Sequence, residues 1–404
     1  MKRASWRVMV LTLGALFCLA GSLPAAAPPQ FTAVEVPGLG GDYCNGQSIN
    51  ELGQVVGYAY PPGNQYYHAF FWDRVAAPQD LGTLGGNYSW SAAVNKLGQV
   101  TGWARTSGNQ YDHAFSWTAA GGMEDLGTLG GNYSSAQAIN DKGQVAGYSY
   151  TSGDQYQHAF LGTAAGGMQD LGTLGGNYSY AQCINKSGQV VGASYVSGDD
   201  NQHAFVWRKK GGMRDLGTLG GSNSYANALN DRGRVVGQAD TAAGNQHAFL
   251  WSGTMKDLGT LGGTWSQAEM INNYGMVVGG SSIANGQNHA FAWTSKGGMV
   301  NLSPPGSDHS REPRVNNWGQ VVGHFHGPPT FNCAPFFWTA QTGGLDLTSL
   351  VVDLPGGVSL YDAYDINDRG EILVQGSNNR SYILVPRKLK PSLGGVPKGQ
   401  GGGG

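Results

Sequence analysis

Charge is scarce in this chain. Asp, Glu, Lys and Arg supply 12% of its 404 residues, where ordinary soluble domains carry about a quarter. There is no basic stripe, and a nucleic-acid partner requires one, so that class is excluded. Cysteine is rare as well. Of the 4 in the chain, Cys44, Cys183 and Cys333 lie at unrelated places in the pattern described below, so no repeated disulfide framework staples the fold. Cys183 takes the place of Ala93 and Ala138 and reads as a small buried side chain. Helical periodicity is missing from the repeat region. No nucleophile elbow, phosphate loop or zinc-protease motif occurs. Calcium loops need several oxygen ligands at alternate positions, and no such run exists.

Long apolar runs are missing too, except near the start. Lys2, Arg3 and Arg7 flank an apolar stretch from Val8 to Ala20, and Ala25, Ala26 and Ala27 follow. Basic, apolar and small residues in that order predict a secretory signal over residues 1–27, too short for a membrane span. Cys18 follows the bulky Phe17, which speaks against a lipid anchor. Loss of the segment takes the net charge from −2 to −5. Residues 387–404 form a Gly-rich tail, expected to be disordered, whose Arg387, Lys388, Lys390 and Lys398 have no acidic neighbour. The expected product is exported, secreted or periplasmic, with no transmembrane segment.

Glycine is abundant, at 67 residues, and it recurs in phase with strand patterns, as turn residues do. His-Ala-Phe begins at His68, His113, His158, His203, His247 and His289, at spacings of 42 to 45 residues. The longer phrase is Ile-Asn-x-x-Gly-Gln-Val-Val-Gly, then His-Ala-Phe-x-Trp, then Asp-Leu-Gly-Thr-Leu-Gly-Gly. The Asn before the turn counts eight units: Asn50, Asn95, Asn140, Asn185, Asn230, Asn272, Asn316 and Asn367. The last two are degenerate. Each unit offers four short strands. Asn140-Asp141-Lys142-Gly143 suits a type I turn with its Gly left-handed. Four strands in about 45 residues predict an all-β chain, a β-propeller of about eight four-stranded blades over residues 28–386, with seven as the alternative count. The position four before each turn Asn is tiny in most units, as at Gly46, Ser91 and Ala136, which a crowded strand near a central axis would want. The eighth unit lacks its fourth strand, and Phe31 to Val36 is a spare one that can complete it and lock the ring.

These three phrases resemble the HAF repeat family of bacterial extracellular proteins. The resemblance covers nearly the whole mature chain. It implies export and a repeat fold, and the family has no established general activity. Some relatives carry a C-terminal sorting tail; the glycines that end this chain have no apolar anchor beside them.

A residue present in every unit usually serves folding. The six motif histidines, one per unit, are spread around a ring and cannot converge as zinc ligands must; each is expected to bond a local carbonyl or a recurring Asp. Those aspartates are Asp80, Asp125, Asp170, Asp215, Asp257 and Asp346, with Asn301 in one place. Trp72, Trp117, Trp207, Trp251, Trp293 and Trp338 read as core. Aromatics in the crossover after the double glycine stand among Asn and Ser: Tyr88, Trp90, Tyr133, Tyr178, Tyr180, Tyr225 and Trp265. Loops carry binding more often than core strands, so these seven are the candidate ligand-binding residues. The seventh unit holds the densest irregular polar cluster: Asp308, His309, Arg311, Glu312, Arg314, His324 and His326. The expectation is an exported, non-catalytic binding or structural scaffold, with polysaccharide or another surface protein as partner. No cofactor, metal or catalytic residue is assigned. The alternative is a propeller hydrolase or lyase acting on extracellular carbohydrate through the seventh unit.

Overall fold

The computed structural model describes residues 28–327 and 333–387. The signal assigned to residues 1–27 and the tail from residue 388 onward lie outside the described residues. Eight antiparallel sheets of four strands each form a ring, an eight-bladed β-propeller. Blade 3 shows the plan. Gly130–Ile139 is innermost, followed outward by Val145–Thr151, Gln157–Thr163 and Gly167–Asp170. Blade 8 is composite. Leu360–Ile366, Ile372–Gly376 and Ser381–Pro386 come from the C-terminal end, and Phe31–Glu35 adds the outer strand. Phe31 pairs with Pro386 and Val34 with Ile383, as expected for a closing strand. No helix of the described residues is long and apolar enough to cross a membrane.

The turn Asn does two jobs. Asn140 Oδ1 accepts from the backbone of Lys142 and Gln144, at 3.0 and 3.1 Å, which shapes the hairpin. Gly143 follows at φ +71°, where glycine is unstrained. Asn140 Nδ2 then donates to the Asn185 carbonyl of the next blade at 3.0 Å. All eight turn asparagines repeat this donation, at 2.8–3.1 Å, and Asn367 closes the circle on the Asn50 carbonyl.

Each inner strand bulges just before that turn. In blade 3 Ala136 pairs with Gly147 and Ala138 with Ala146, so Gln137 has no partner. The bulge thrusts a carbonyl against the second strand. A Cβ on Gly147 would stand 2.0 Å from the Ser135 oxygen, which explains the glycine ending Gln-Val-Val-Gly. The tiny residues lie fully buried on this innermost strand. Ala136 packs between blades against Leu126, Val145 and Phe160, and Ala138 turns to the next blade's core. Gln137, the extra residue, faces the channel, with Ala138 beside it.

His-Ala-Phe supplies the core between blades: Ala159 and Phe160 are fully buried. A crossing serine ties neighbours together. Ser134 Oγ accepts from the Ala114 amide of blade 2 at 2.8 Å and donates to the Gly127 carbonyl at 2.6 Å. Trp72, Trp117, Trp207, Trp251 and Trp293 are buried, as expected, and Trp338 is half-buried.

Candidate functional site

The bulged residues of the inner strands are not uniform. Gln47, Gln137, Gln182, Asn227 and Glu269 all line a central cavity of about 930 Å3. The amides among them, which donate and accept, therefore come from four of the eight blades. Blades 6 to 8 add charge there, through Glu269, Arg311, Glu312, Arg314 and Asp365. Burial pushes the Glu269 carboxyl up to about 7, against the pull of Arg314, whose Nη1 lies 3.4 Å away. Burial likewise raises Asp365, although it accepts from the Ile49 amide and Ser48 hydroxyl of blade 1. Toward the asparagine circle the channel continues into a cavity of about 380 Å3. Its rim alternates charge, with Lys186 Nζ 3.0 Å from Asp231 Oδ2.

The other mouth is aromatic on one side. Tyr43, Tyr58, Tyr60, Tyr67, Trp90 and Trp103 line a cleft of about 490 Å3 over blades 1 and 2. A second cleft of about 400 Å3 continues over blades 2 and 3, lined by Trp103, Tyr133, Tyr148, Tyr150 and polar Asp112, Asp154 and Gln157. Trp103 belongs to both. Tyr43 stacks on Tyr58 with centroids 5.8 Å apart, and Tyr67 stands edge-on to Trp103 at 6.4 Å. Burial pushes the Tyr58 and Tyr67 phenols up, so they stay neutral hydroxyls at physiological pH.

The seven aromatics proposed from the sequence do not lie in loops. They occupy the fourth or sixth position of the innermost strands, because Gly85–Val94 and its counterparts pair as strands from the double glycine onward. Trp90 and Tyr133 face the clefts. Tyr88 supports the first from behind, packed on Tyr66 and Tyr67 at 5.2 and 4.9 Å, with the Arg105 guanidinium 5.1 Å above it. Tyr178 is wedged between Tyr156 and Tyr195. Tyr180 stands edge-on to Tyr148, and Tyr225 is half-buried on the inner strand of blade 5. Trp265 lines the central cavity, its Nε1 donating to Gln246 at 2.8 Å. Tyr43, Tyr58, Tyr60, Tyr67, Trp103, Tyr148 and Tyr150 were missed. For Tyr58, Tyr60, Tyr148 and Tyr150 the signal was the alternation after the motif glycine, Gly57-Tyr58-Ala59-Tyr60 and Gly147-Tyr148-Ser149-Tyr150, which puts both rings on one face.

The motif histidines do not converge. His113 Nδ1 meets Asp125 at 2.8 Å within its own blade, and four other blades repeat the pair. Burial alone would raise the Asp125 carboxyl, but His113 and the Gly127 amide hold it below its ordinary value. Of the seventh-unit cluster, Arg311, Glu312 and Arg314 reach the channel, whereas His309 is exposed on the strand edge. The three cysteines among the described residues are free. Burial pushes the Cys44 thiol to about 12 and the Cys333 thiol to about 11, so neither is a ready nucleophile.

Ring, channel and mouth define a β-propeller with an aromatic-sided opening. No family model and no curated protein matches the chain. Among solved structures, the C-terminal WD40 domain of Sif2 is similar at TM-score 0.50 and 12% identity, over 88% of this chain and 99% of that one. A puromycin hydrolase mutant complexed with PGG aligns at TM-score 0.49 and 13% identity, over 84% of this chain; the chain spans 59% of that one's length. The BP39L lectin from Burkholderia pseudomallei aligns at TM-score 0.41 and 11% identity, over 78% of this chain and 96% of that one. Identities this low show the fold alone.

Proposed function

We propose that the protein is an exported, non-catalytic binding module that takes extracellular polysaccharide on the aromatic side of its channel mouth. The carrying observation is the pair of adjoining clefts joined by Trp103. Ligand sites are concave, mostly apolar or aromatic, and set with a few convergent polar groups. Here neutral phenols, carboxylates and amides border exposed ring faces, which suits the alternating C–H and hydroxyl faces of sugar rings. Two adjoining clefts suit a chain of sugars better than one small molecule. Export rests on the basic–apolar–small start of the sequence and on the resemblance to extracellular His-Ala-Phe repeat proteins. A hydrolase or lyase reading has less support: Glu269, the carboxyl raised by burial in the channel, is paired with Arg314.

The test is a glycan array followed by calorimetry on any hit. Trp103→Ala should weaken binding by about 30-fold or more, as loss of a central aromatic anchor does. Tyr178→Ala should bind normally, because that ring is wedged between two others. No hit on the array, or equal affinity in Trp103→Ala and Tyr58→Ala, refutes the reading.

A further inference from the structure

The seventh blade differs where the others place their aromatics. In blade 3 the second strand presents Tyr148 and Tyr150, with Gln157 opposite Tyr150. In blade 7 the same places hold His324, His326 and Cys333, with His326 directly opposite Cys333. Residues two apart on a strand share a face, and the two imidazole centroids are 6.2 Å apart. One ligating atom from each of His324, His326 and Cys333 lies within 4.8 Å of the other two. We infer that these three side chains hold one zinc ion at the channel mouth.

Two imidazoles and a thiolate are a ligand set that zinc accepts, leaving one position open in a tetrahedral site. Two further observations point the same way. Asp362 of blade 8 lies 3.2 Å from His324 Nδ1. A carboxylate on one ring nitrogen fixes the ring and leaves the other for metal, the usual outer support of a zinc histidine. His324 itself is buried. Glu312 is the second. Its counterparts in the other seven blades are Gly, Ser or Ala and are buried, but Glu312 is exposed at φ +53°. Such left-handed strain in a non-glycine residue collects at functional sites. It leaves the Glu312 carboxylate within 4.8 Å of His324 and Asp362, beside the ligand histidine and its carboxylate support. Blade 7 is four blades from blade 3, so the site faces the aromatic clefts across the mouth. It stands whether or not those clefts bind sugar. The motif histidines are elsewhere, each on its own aspartate or asparagine, and take no part.

The mature chain, stripped with a chelator, is titrated with Zn2+ against a chromophoric competitor, and with Co2+ as a spectroscopic probe. One equivalent of Zn2+ should bind, and Co2+ should show a thiolate-to-metal charge-transfer band. Cys333→Ser should abolish that band. Asp362→Asn should weaken Zn2+ by about 10–100-fold, and Cys183→Ser should change neither reading. Near-ultraviolet circular dichroism checks the fold of each variant. Failure of the native chain to compete for Zn2+ overturns the site, as does a thiolate band that survives Cys333→Ser. His326→Gln is an independent variant: unchanged Zn2+ affinity there overturns it equally.

Discussion

In blade 6 the motif histidine meets an amide: Asn301 Nδ2 lies 2.8 Å from His289 Nδ1. There His289 Nδ1 accepts from the amide, the reverse of the donation to aspartate in five other blades, so the position requires a bonded partner and not a charge. Loss of the histidine from two of eight units already marked it as structural in the sequence. Its partner stands 10 to 12 residues away and is brought beside it only by pairing of the third and outer strands. Glu269 is the opposite case. It fills a place that holds glutamine in three other units, and nothing in its sequence neighbourhood predicts the shift of its carboxyl to about 7. A carboxyl raised in the folded state binds its proton more tightly there than in the unfolded chain. Stability is then greatest below the ordinary value of 4.5 and declines as pH climbs to about 7. Glu269→Gln should flatten that decline in melting temperature. A variant that falls as steeply as the native chain over the same pH range would refute the assignment.

The hairpin of each inner pair was legible as an element, and its bonding was not. Asn185 and Gly188 are the turn residues the sequence proposes, and Asn185 Oδ1 accepts from the amides of Ser187 and Gln189 at 3.1 and 3.0 Å. The donation to the Asn230 carbonyl at 3.1 Å spans 45 residues and needs the next blade in place. Asn185→Ala removes the local bonds and the link between blades together. It should cost about 1–3 kcal/mol, the penalty for buried polar groups left unpaired, measured by urea unfolding. A cost near zero would show that the circle of asparagines adds nothing to stability. The bulge beside this turn explains two other features. In blades 1 to 6 it leaves no room for a side chain at the glycine of Gln-Val-Val-Gly, and it turns residues such as Gln137 and Glu269 into the channel. Period-two reasoning puts alternate residues on one face, so an inserted residue reverses the faces of the inner strand beyond it, which the repeat pattern does not show.

Ring closure is the property of the whole chain. Phe31 is buried in the blade 8 core, beside Phe337 with centroids 5.5 Å apart. Phe31→Ala should cost about 3–5 kcal/mol. Deleting residues 28–37 should lower the melting temperature further still, because it also leaves the edge of Ser381–Pro386 unpaired. An unchanged melting temperature would mean that the ring does not depend on that strand. The repeat by itself determined the strand number, the turns, the core residues and the closing strand. These are set by local periodicity and by the need to bury one stripe per strand, which every unit records again. Only the tertiary structure decided which side chains share a space. The clefts draw Tyr43, Tyr67 and Trp103 from different blades or strands, and the zinc site draws His324 and Asp362 from neighbouring blades. Such groupings depend on bulges, on strand register and on the angle between blades, none of which leaves a periodic trace in the chain.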